Sequence, residues 1–457
     1  MVEDGIGAFA GHVVETGYVD LPRSAVRAAK TFILDGFGVG VAGSAGPWLD
    51  GLIASTSLQG QGNDARIWVF GDRLPASAAA MVNAYQMHNS EFDCVHEGAV
   101  VHAMTVPLAA AMAEAERRGG VDGRTLIAAA TLGVDVAAHV GVASRAKLRF
   151  FRPATAGAFG AVAALGKLRG FDRETLINAY GIVLAQLCGT MQAHVDGGVM
   201  LAMQMGFNAR NAVTAIDMAE RGLSAPASVL EGEFGFFPLF EGDYDLVPSL
   251  DALGKIWRIE EIAHKPFPSG RATHGVLDGL LTLMRENGFS SNDVQQVICR
   301  VPPLTAQLVG RPILDVMETN YARLSAPFVL ASALINGQVG IEDFGPDSLR
   351  DKCRLDLGRR ITVEVDDNPD KNALTPVSVT VSLKDGIRHD ITMDVVYGNP
   401  NKPMTRDAHL EKFRRNWALA MRSLPVVQGD ELIALVDELE SVADISALVD
   451  LMVAPTS

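Results

Sequence analysis

Apolar positions at Val26, Ala29, Ile33, Phe37 and Val41 recur at spacings of three and four, which predicts one face of a helix over 22–41. Pro22 suits the first turn, where its missing N–H would have no partner in any case. The same spacing predicts helices over 76–90, 105–118, 124–144, 155–168, 173–188 and 207–221, with Gly and Pro clusters between them. Small residues dominate their faces, as in Ala109-Ala110-Ala111 and Ala128-Ala129-Ala130. Such faces let helices approach closely, so a tightly packed, largely buried bundle is expected.

After about residue 265 the period changes. Val294, Val297, Cys299 and Val301 predict a short strand, and 361–365 and 377–383 alternate strictly, as half-buried strands do. Asp385-Gly386 is a hairpin signal leading into a further strand over 387–396. Helices are predicted over 273–286 and 320–336 within this stretch. Helical spacing returns after Met404-Thr405-Arg406-Asp407, with helices to about 421 and over 430–439 and 444–452. The expected fold is mainly α: a large all-helical bundle domain built from both chain ends, with an inserted smaller α+β lid domain. The boundaries are 1–265, 266–400 and 401–457.

The composition fits a protein with a large core. The chain has 457 residues, 48% of them hydrophobic, so wholesale disorder is excluded. A mean hydropathy of +0.17 raises the question of a membrane. The longest charge-free stretch of spanning length, 176–195, contains Asn178, Gln186, Thr190, Gln192 and His194 and reads as a buried helix instead. The start, Met1-Val2-Glu3-Asp4, is acidic and no cationic region precedes an apolar run, so no secretory signal is expected. Cys94, Cys188, Cys299 and Cys353 are far apart, which points to free thiols and a cytoplasmic protein. With 39 Lys+Arg against 54 Asp+Glu the net charge is −15, which argues against nonspecific nucleic-acid binding. Neither nucleic acid nor membrane is expected as a partner.

Three polar clusters stand out. Gly38-Val39-Gly40-Val41-Ala42-Gly43 fits a dinucleotide fingerprint, but a helical pattern precedes it where a strand is needed, so close helix packing is the better account. The first cluster is His88-Asn89-Ser90-Glu91-Phe92-Asp93-Cys94-Val95-His96, with His102 six residues on. Such groups are costly to bury unless paired. A divalent metal on His88, Asp93, His96 or His102 and a solvated polar loop are the alternatives to a cofactor-free acid/base site. No tight ligand spacing is present, and no metal is expected. The second cluster, 264–274, holds Lys265, Arg271 and His274 in a segment stiffened by two prolines, at the junction of the helical and α+β regions. That suits a carboxylate ligand; a charged linker before a capped helix is the plainer reading. In the third, Arg323 and Ser325 can bind a carboxylate or simply start a helix. The basic run Arg145, Lys147, Arg149 and Arg152 reads first as a solvated face.

Through these clusters, and through 35–43, the chain resembles the MmgE/PrpD family, which includes 2-methylcitrate dehydratase, cis-aconitate decarboxylase and iminodisuccinate epimerase. The resemblance rests on 83–102, on Lys265-Pro266-Phe267-Pro268 with Arg271-Ala272-Thr273-His274, and on 322–328. It implies a homodimer without cofactor, acting on a small di- or tricarboxylate in a cleft between bundle and lid. Its motifs match Glu91, Asp93, His102 and Lys265; taken with the cluster readings, Asp93, His102 and Glu91 are the expected catalytic residues and Lys265, Arg271, His274, Arg152, Arg323, Ser325 and His96 the expected substrate-binding ones. Two departures stand out. Phe151-Arg152-Pro153-Ala154-Thr155 has Arg where many members have His, and 201–206 lacks a Lys-Arg-x-His run. The expected activity is a 2-methylcitrate dehydratase-like lyase, with dicarboxylate epimerisation, decarboxylation and non-catalytic carboxylate binding as alternatives.

Overall fold

In the computed structural model the protein is described over residues 4–455 except Gln59 and Lys371, so Met1, Val2 and Glu3 of the acidic start lie outside the described residues. The chain is mainly helical with a small sheet. The first predicted helix spans Arg23–Gly43, and its glycines are packing positions rather than a phosphate loop. A Cβ on Gly43 would lie 1.8 Å from the Gln86 carbonyl oxygen, and one on Gly40 would lie 2.7 Å from the Trp68 ring. Helices Ala76–His88, Thr105–Arg118, Gly123–Ala143, Arg152–Arg169 and Met200–Glu220 complete the centre of the bundle. The Ala-rich faces do bring backbones together: a Cβ on Gly160 would sit 2.4 Å from the Gly133 carbonyl oxygen.

Two expectations need correction. The stretch 176–195 is not one buried helix. Arg173–Leu184 ends, Gly189 takes a positive φ of +124°, and a short helix follows at Gln192–Asp196. Among the described residues, the helix long and apolar enough to cross a membrane is Gly123–Ala143, and 94% of its most apolar window is buried inside the protein. The predicted helix over 320–336 is two, Thr319–Arg323 and Ala326–Asn336. The second is capped by Ser325, whose Oγ accepts from the Phe328 N–H, and has Pro327 in its first turn. Pro327 lacks the N–H needed to continue the preceding helix, so the chain restarts there.

Val294–Val301 lies inside a four-stranded sheet, parallel to Ile361–Val365 on one side and antiparallel to Val377–Leu383 on the other. Arg388–Met393 closes the far edge antiparallel to Val377–Leu383, after the Asp385-Gly386 turn. Val276 and Leu280 of helix His274–Asn287 share a hydrophobic core with Val297, Cys299, Phe328 and Val379. A separate, larger core holds the bundle, and Phe413, Trp417, Leu432 and Leu448 near the C-terminus belong to it. Thr405 caps Arg406–Ala418 through the Ala408 N–H at 3.2 Å. Strand Val95–His96 pairs antiparallel with Ile262–Ala263. This short ribbon holds the acid/His segment of the bundle against the Lys265–His274 segment.

Candidate active site

The acid/His segment leaves helix Ala76–His88 at His88 and turns at Glu91, a non-glycine residue held at φ +52°. His96 and Val101 exchange backbone hydrogen bonds at 2.8 and 3.2 Å, which folds the chain back so that His102 and Thr105 return to Asp93. Asp93 is buried and central. His88 Nδ1 lies 3.0 and 3.1 Å from its two oxygens, His102 Nδ1 lies 3.1 Å from Oδ2, and the Thr105 hydroxyl donates to Oδ2 at 2.5 Å. The His88 and His102 rings meet edge to face at 4.6 Å. On the other side of His88, its Nε2 is 3.5 Å from Glu91, and Glu91 accepts a hydrogen bond from Lys265 Nζ at 3.0 Å.

These contacts divide the charges. Burial alone would raise the Asp93 carboxyl, but His102 and His88 outweigh it and hold Asp93 well below the usual carboxylate range. Glu91 follows the same logic: burial opposes ionisation, yet Lys265, His88 and His102 bring it down to about 2. Burial also disfavours protonated His88, but Asp93 and Glu91 prevail and raise it. His102 goes the other way: burial lowers it and the pull of Asp93 compensates only in part. A raised and a lowered imidazole thus share one carboxylate. The lowered one, His102, is the one that lines a cavity; Asp93 and His88 do not.

That cavity lies between the two cores, with Glu91, Glu97, His102, His194 and Arg271 as its polar wall. Arg271 donates to Glu97 at 2.6 Å and to the His264 and Tyr397 carbonyls at 3.1 and 2.9 Å. Its Nη2 is buried without a partner. His274 does not line the cavity. It accepts from Arg271 on Nδ1 at 3.3 Å and faces the Ser269 carbonyl with Nε2 at 3.2 Å, so it positions Arg271. Burial, then the charges of Arg271 and Lys265, push His274 well below the usual histidine range, so it stays neutral. Lys265 is fully buried behind Glu91.

Four residues expected to bind substrate are engaged elsewhere. Arg152 is fully buried and turned from the cavity, bonding Glu241 at 2.9 and 3.1 Å, Ser144 at 2.8 Å and the Ala99 carbonyl at 3.2 Å. It is not a solvated residue, and its guanidinium is taken up by the Glu241 carboxylate. His96 bonds Glu261 at 2.8 Å and accepts the Ala99 N–H at 3.0 Å, which braces the loop. Ser325 is a helix cap and donates to the Arg311 carbonyl at 2.9 Å. Arg323 donates to the Asn89 carbonyl and lies over the Phe344 ring, fixing the turn before Glu91. Conversely, sequence reasoning passed over His194, Glu97 and Arg311. His194 lines the cavity and accepts from Arg311 at 2.8 Å. Burial and Arg311 bring it down to about 4, so it is a neutral wall. Its one sequence signal was a histidine inside an apolar stretch.

Two triads bring one possible metal-ligand atom from each residue within 4.8 Å: His88, Glu91 and His102, and Asp35, His264 and His409. In both, a buried ammonium already sits on the carboxylate, Lys265 at 3.0 Å from Glu91 and Lys412 at 2.7 Å from Asp35. That supplies the positive charge a metal would bring, and it repels a second cation. The remaining arrangement is a His–Asp couple beside a cavity lined by Arg271, whose Nη2 amino group is free. It can remove a proton from an anchored acid.

Residues 7–248 match the family model of the MmgE/PrpD N-terminal domain, and residues 267–440 that of the MmgE/PrpD C-terminal domain. The chain is 26% identical to cis-aconitate decarboxylase of Mus musculus over 477 residues, covering 100% of this chain and 95% of that protein. It is 27% identical to cis-aconitate decarboxylase of Homo sapiens, covering 98% and 94%. The cis-aconitate decarboxylase of Aspergillus terreus (strain NIH 2624 / FGSC A1156) is also 27% identical, covering 95% and 93%.

Proposed function

The chain belongs to the MmgE/PrpD family, and from that premise we propose that it is a lyase that removes a proton from the carbon beside a substrate carboxylate. His102 is the base and Arg271 anchors the carboxylate. The observation that carries this reading is the 3.1 Å approach of Asp93 to Nδ1 of a cavity-lining imidazole whose pKa is lowered. A neutral imidazole takes a proton on its far nitrogen, and the carboxylate behind it stabilises the imidazolium that forms. Asp93 is thus a positioning residue, as are Thr105 and His88 around it. Lys265 holds Glu91 at the cavity wall.

Dehydration follows with one base. His102 takes the proton from carbon, the C–H electron pair becomes the C=C bond, and the neighbouring C–O bond breaks. The imidazolium returns its proton to the departing hydroxide, which leaves as water. Arg271 steadies the carboxylate as negative charge builds beside it. Decarboxylation is the second reading, because the relatives named above are decarboxylases. It needs His102 protonated at the start, to deliver a proton to carbon after carbon dioxide leaves. The lowered pKa of His102 favours the base role.

The test is incubation in deuterated water with hydroxy acids and unsaturated acids bearing one, two or three carboxylates, followed by NMR. A new alkene marks dehydration and deuterium uptake alone marks epimerisation. Loss of carbon dioxide marks decarboxylation. Binding with no reaction across the whole panel would refute the enzyme reading.

A further inference from the structure

The cations around the His102 cavity are not equally satisfied. Lys265 and Arg271 each face a carboxylate, Glu91 at 3.0 Å and Glu97 at 2.6 Å. Arg311 faces none among the described residues. Its Nη2 donates to Nδ1 of His194 at 2.8 Å and to the His194 carbonyl, its guanidinium lies 5.2 Å over the Tyr321 ring, and its Nη1 is buried without a partner. A cation held this way with no counterion is costly unless an anion comes to it.

Arg311 stands behind His194, and His194 lines the cavity. A guanidinium has no lone pair to offer, so their contact makes Nδ1 the acceptor and puts the ring hydrogen on Nε2. Burial and the Arg311 charge keep the ring neutral down to about 4. Among the described residues, Nε2 of this buried ring has no hydrogen-bond partner. His194 therefore presents a fixed N–H donor to the cavity, with a positive charge behind it. A neutral ligand would use the N–H alone; a carboxylate uses both the donor and the charge. Met191 and Leu201 also line the cavity, and an apolar surrounding strengthens both interactions.

We propose that His194 is a further substrate-binding residue, whose Nε2–H donates to a carboxylate oxygen of the bound acid other than the carboxylate held by Arg271, with Arg311 fixing the ring tautomer and supplying the charge behind it. This rests on the reading of the His102 cavity as the substrate site and adds a second anchor to it. Two anchors, at Arg271 and His194, fix the direction of the carbon chain that joins the carboxylates, and so decide which carbon faces His102.

Isothermal titration of the full chain with tricarballylate and succinate, which have no hydroxyl to lose, tests this. His194→Phe keeps the ring shape without the donor and should weaken tricarballylate at least about tenfold, the usual cost of a hydrogen bond to a charged group. His194→Gln keeps an N–H donor and should bind within about threefold of the parent. A second readout is ¹⁵N-histidine NMR at pH 7. The His194 hydrogen should sit on Nε2, and its proton resonance should move downfield at saturating tricarballylate, which a merely structural ring would not show. A hydrogen on Nδ1, an Nε2–H that does not respond, a folded His194→Phe weakened less than tenfold, a His194→Gln as weak as His194→Phe, or no binding of either probe to the parent overturns the proposal. The two readings fail separately. Tricarballylate binding that follows His194, with no acid reacting in deuterated water, removes the His102 chemistry and leaves this contact. An acid that reacts with unchanged kcat/KM in folded His194→Phe does the reverse.

Discussion

Asp93→Asn removes one negative charge from between two imidazoles and leaves the side-chain volume almost unchanged. Asp93 Oδ2 lies 3.1 Å from His102 Nδ1. When His102 accepts a proton its positive charge spreads over the ring, roughly 4 Å from the carboxylate. At an effective dielectric of about 20 the lost attraction is about 4 kcal/mol. At about 1.4 kcal/mol per tenfold, kcat should fall about a thousandfold, inside the range of ~10²–10⁴ for general base catalysis. KM should move less than about threefold, because Asp93 does not line the cavity. Alkene formation or deuterium uptake, followed by NMR with saturating substrate, measures the rate. A second readout separates positioning from folding. The Asp93 charge works to raise His102, so in a folded variant the His102 ring should titrate lower still, seen in its Cε1–H resonance. A folded Asp93→Asn protein with kcat within about threefold of the parent would refute the role given to this carboxylate.

Two further outcomes follow from the same geometry. His102 is held below its ordinary value of 6.5 and acts unprotonated, so the acid limb of kcat/KM should fall below pH 6.5 and activity should be level through neutrality; an acid limb above pH 7 would point to another base. Glu241→Gln leaves the Arg152 guanidinium buried without its carboxylate and should destabilise the protein by about 3–5 kcal/mol in urea unfolding. KM of the folded fraction should be unchanged, and a tenfold rise in KM at intact stability would return Arg152 to the substrate site.

Much of the scaffold was legible because periodicity reports burial. Strand Val377–Leu383 alternates buried and half-buried positions as its sequence alternates, and helix Thr105–Arg118 has the bounds its spacing predicts. The misreadings have local causes. An apolar run continues past Leu184 although Gly189 needs a backbone that no helix supplies. Pro327 splits a helix whose apolar spacing runs straight through the break. For the candidate site, clustering along the chain singled out Asp93 and His102, which the structure brings within 3.1 Å because they are near in sequence. It did not reveal the partners of Arg152 and His194, which are Glu241 and Arg311, 89 and 117 residues away. A charged residue's sequence neighbours do not say whether it meets solvent, substrate or a distant carboxylate.

The return of the chain at His96–Val101 has an evolutionary consequence. The His–Asp cluster from His88 to Thr105 comes from one short continuous segment, and the apolar cavity wall is assembled from scattered positions such as Leu148, Leu201 and Leu374. The two can diverge independently. A lineage can exchange wall residues one at a time and reshape the cavity without rebuilding the His–Asp cluster beside it.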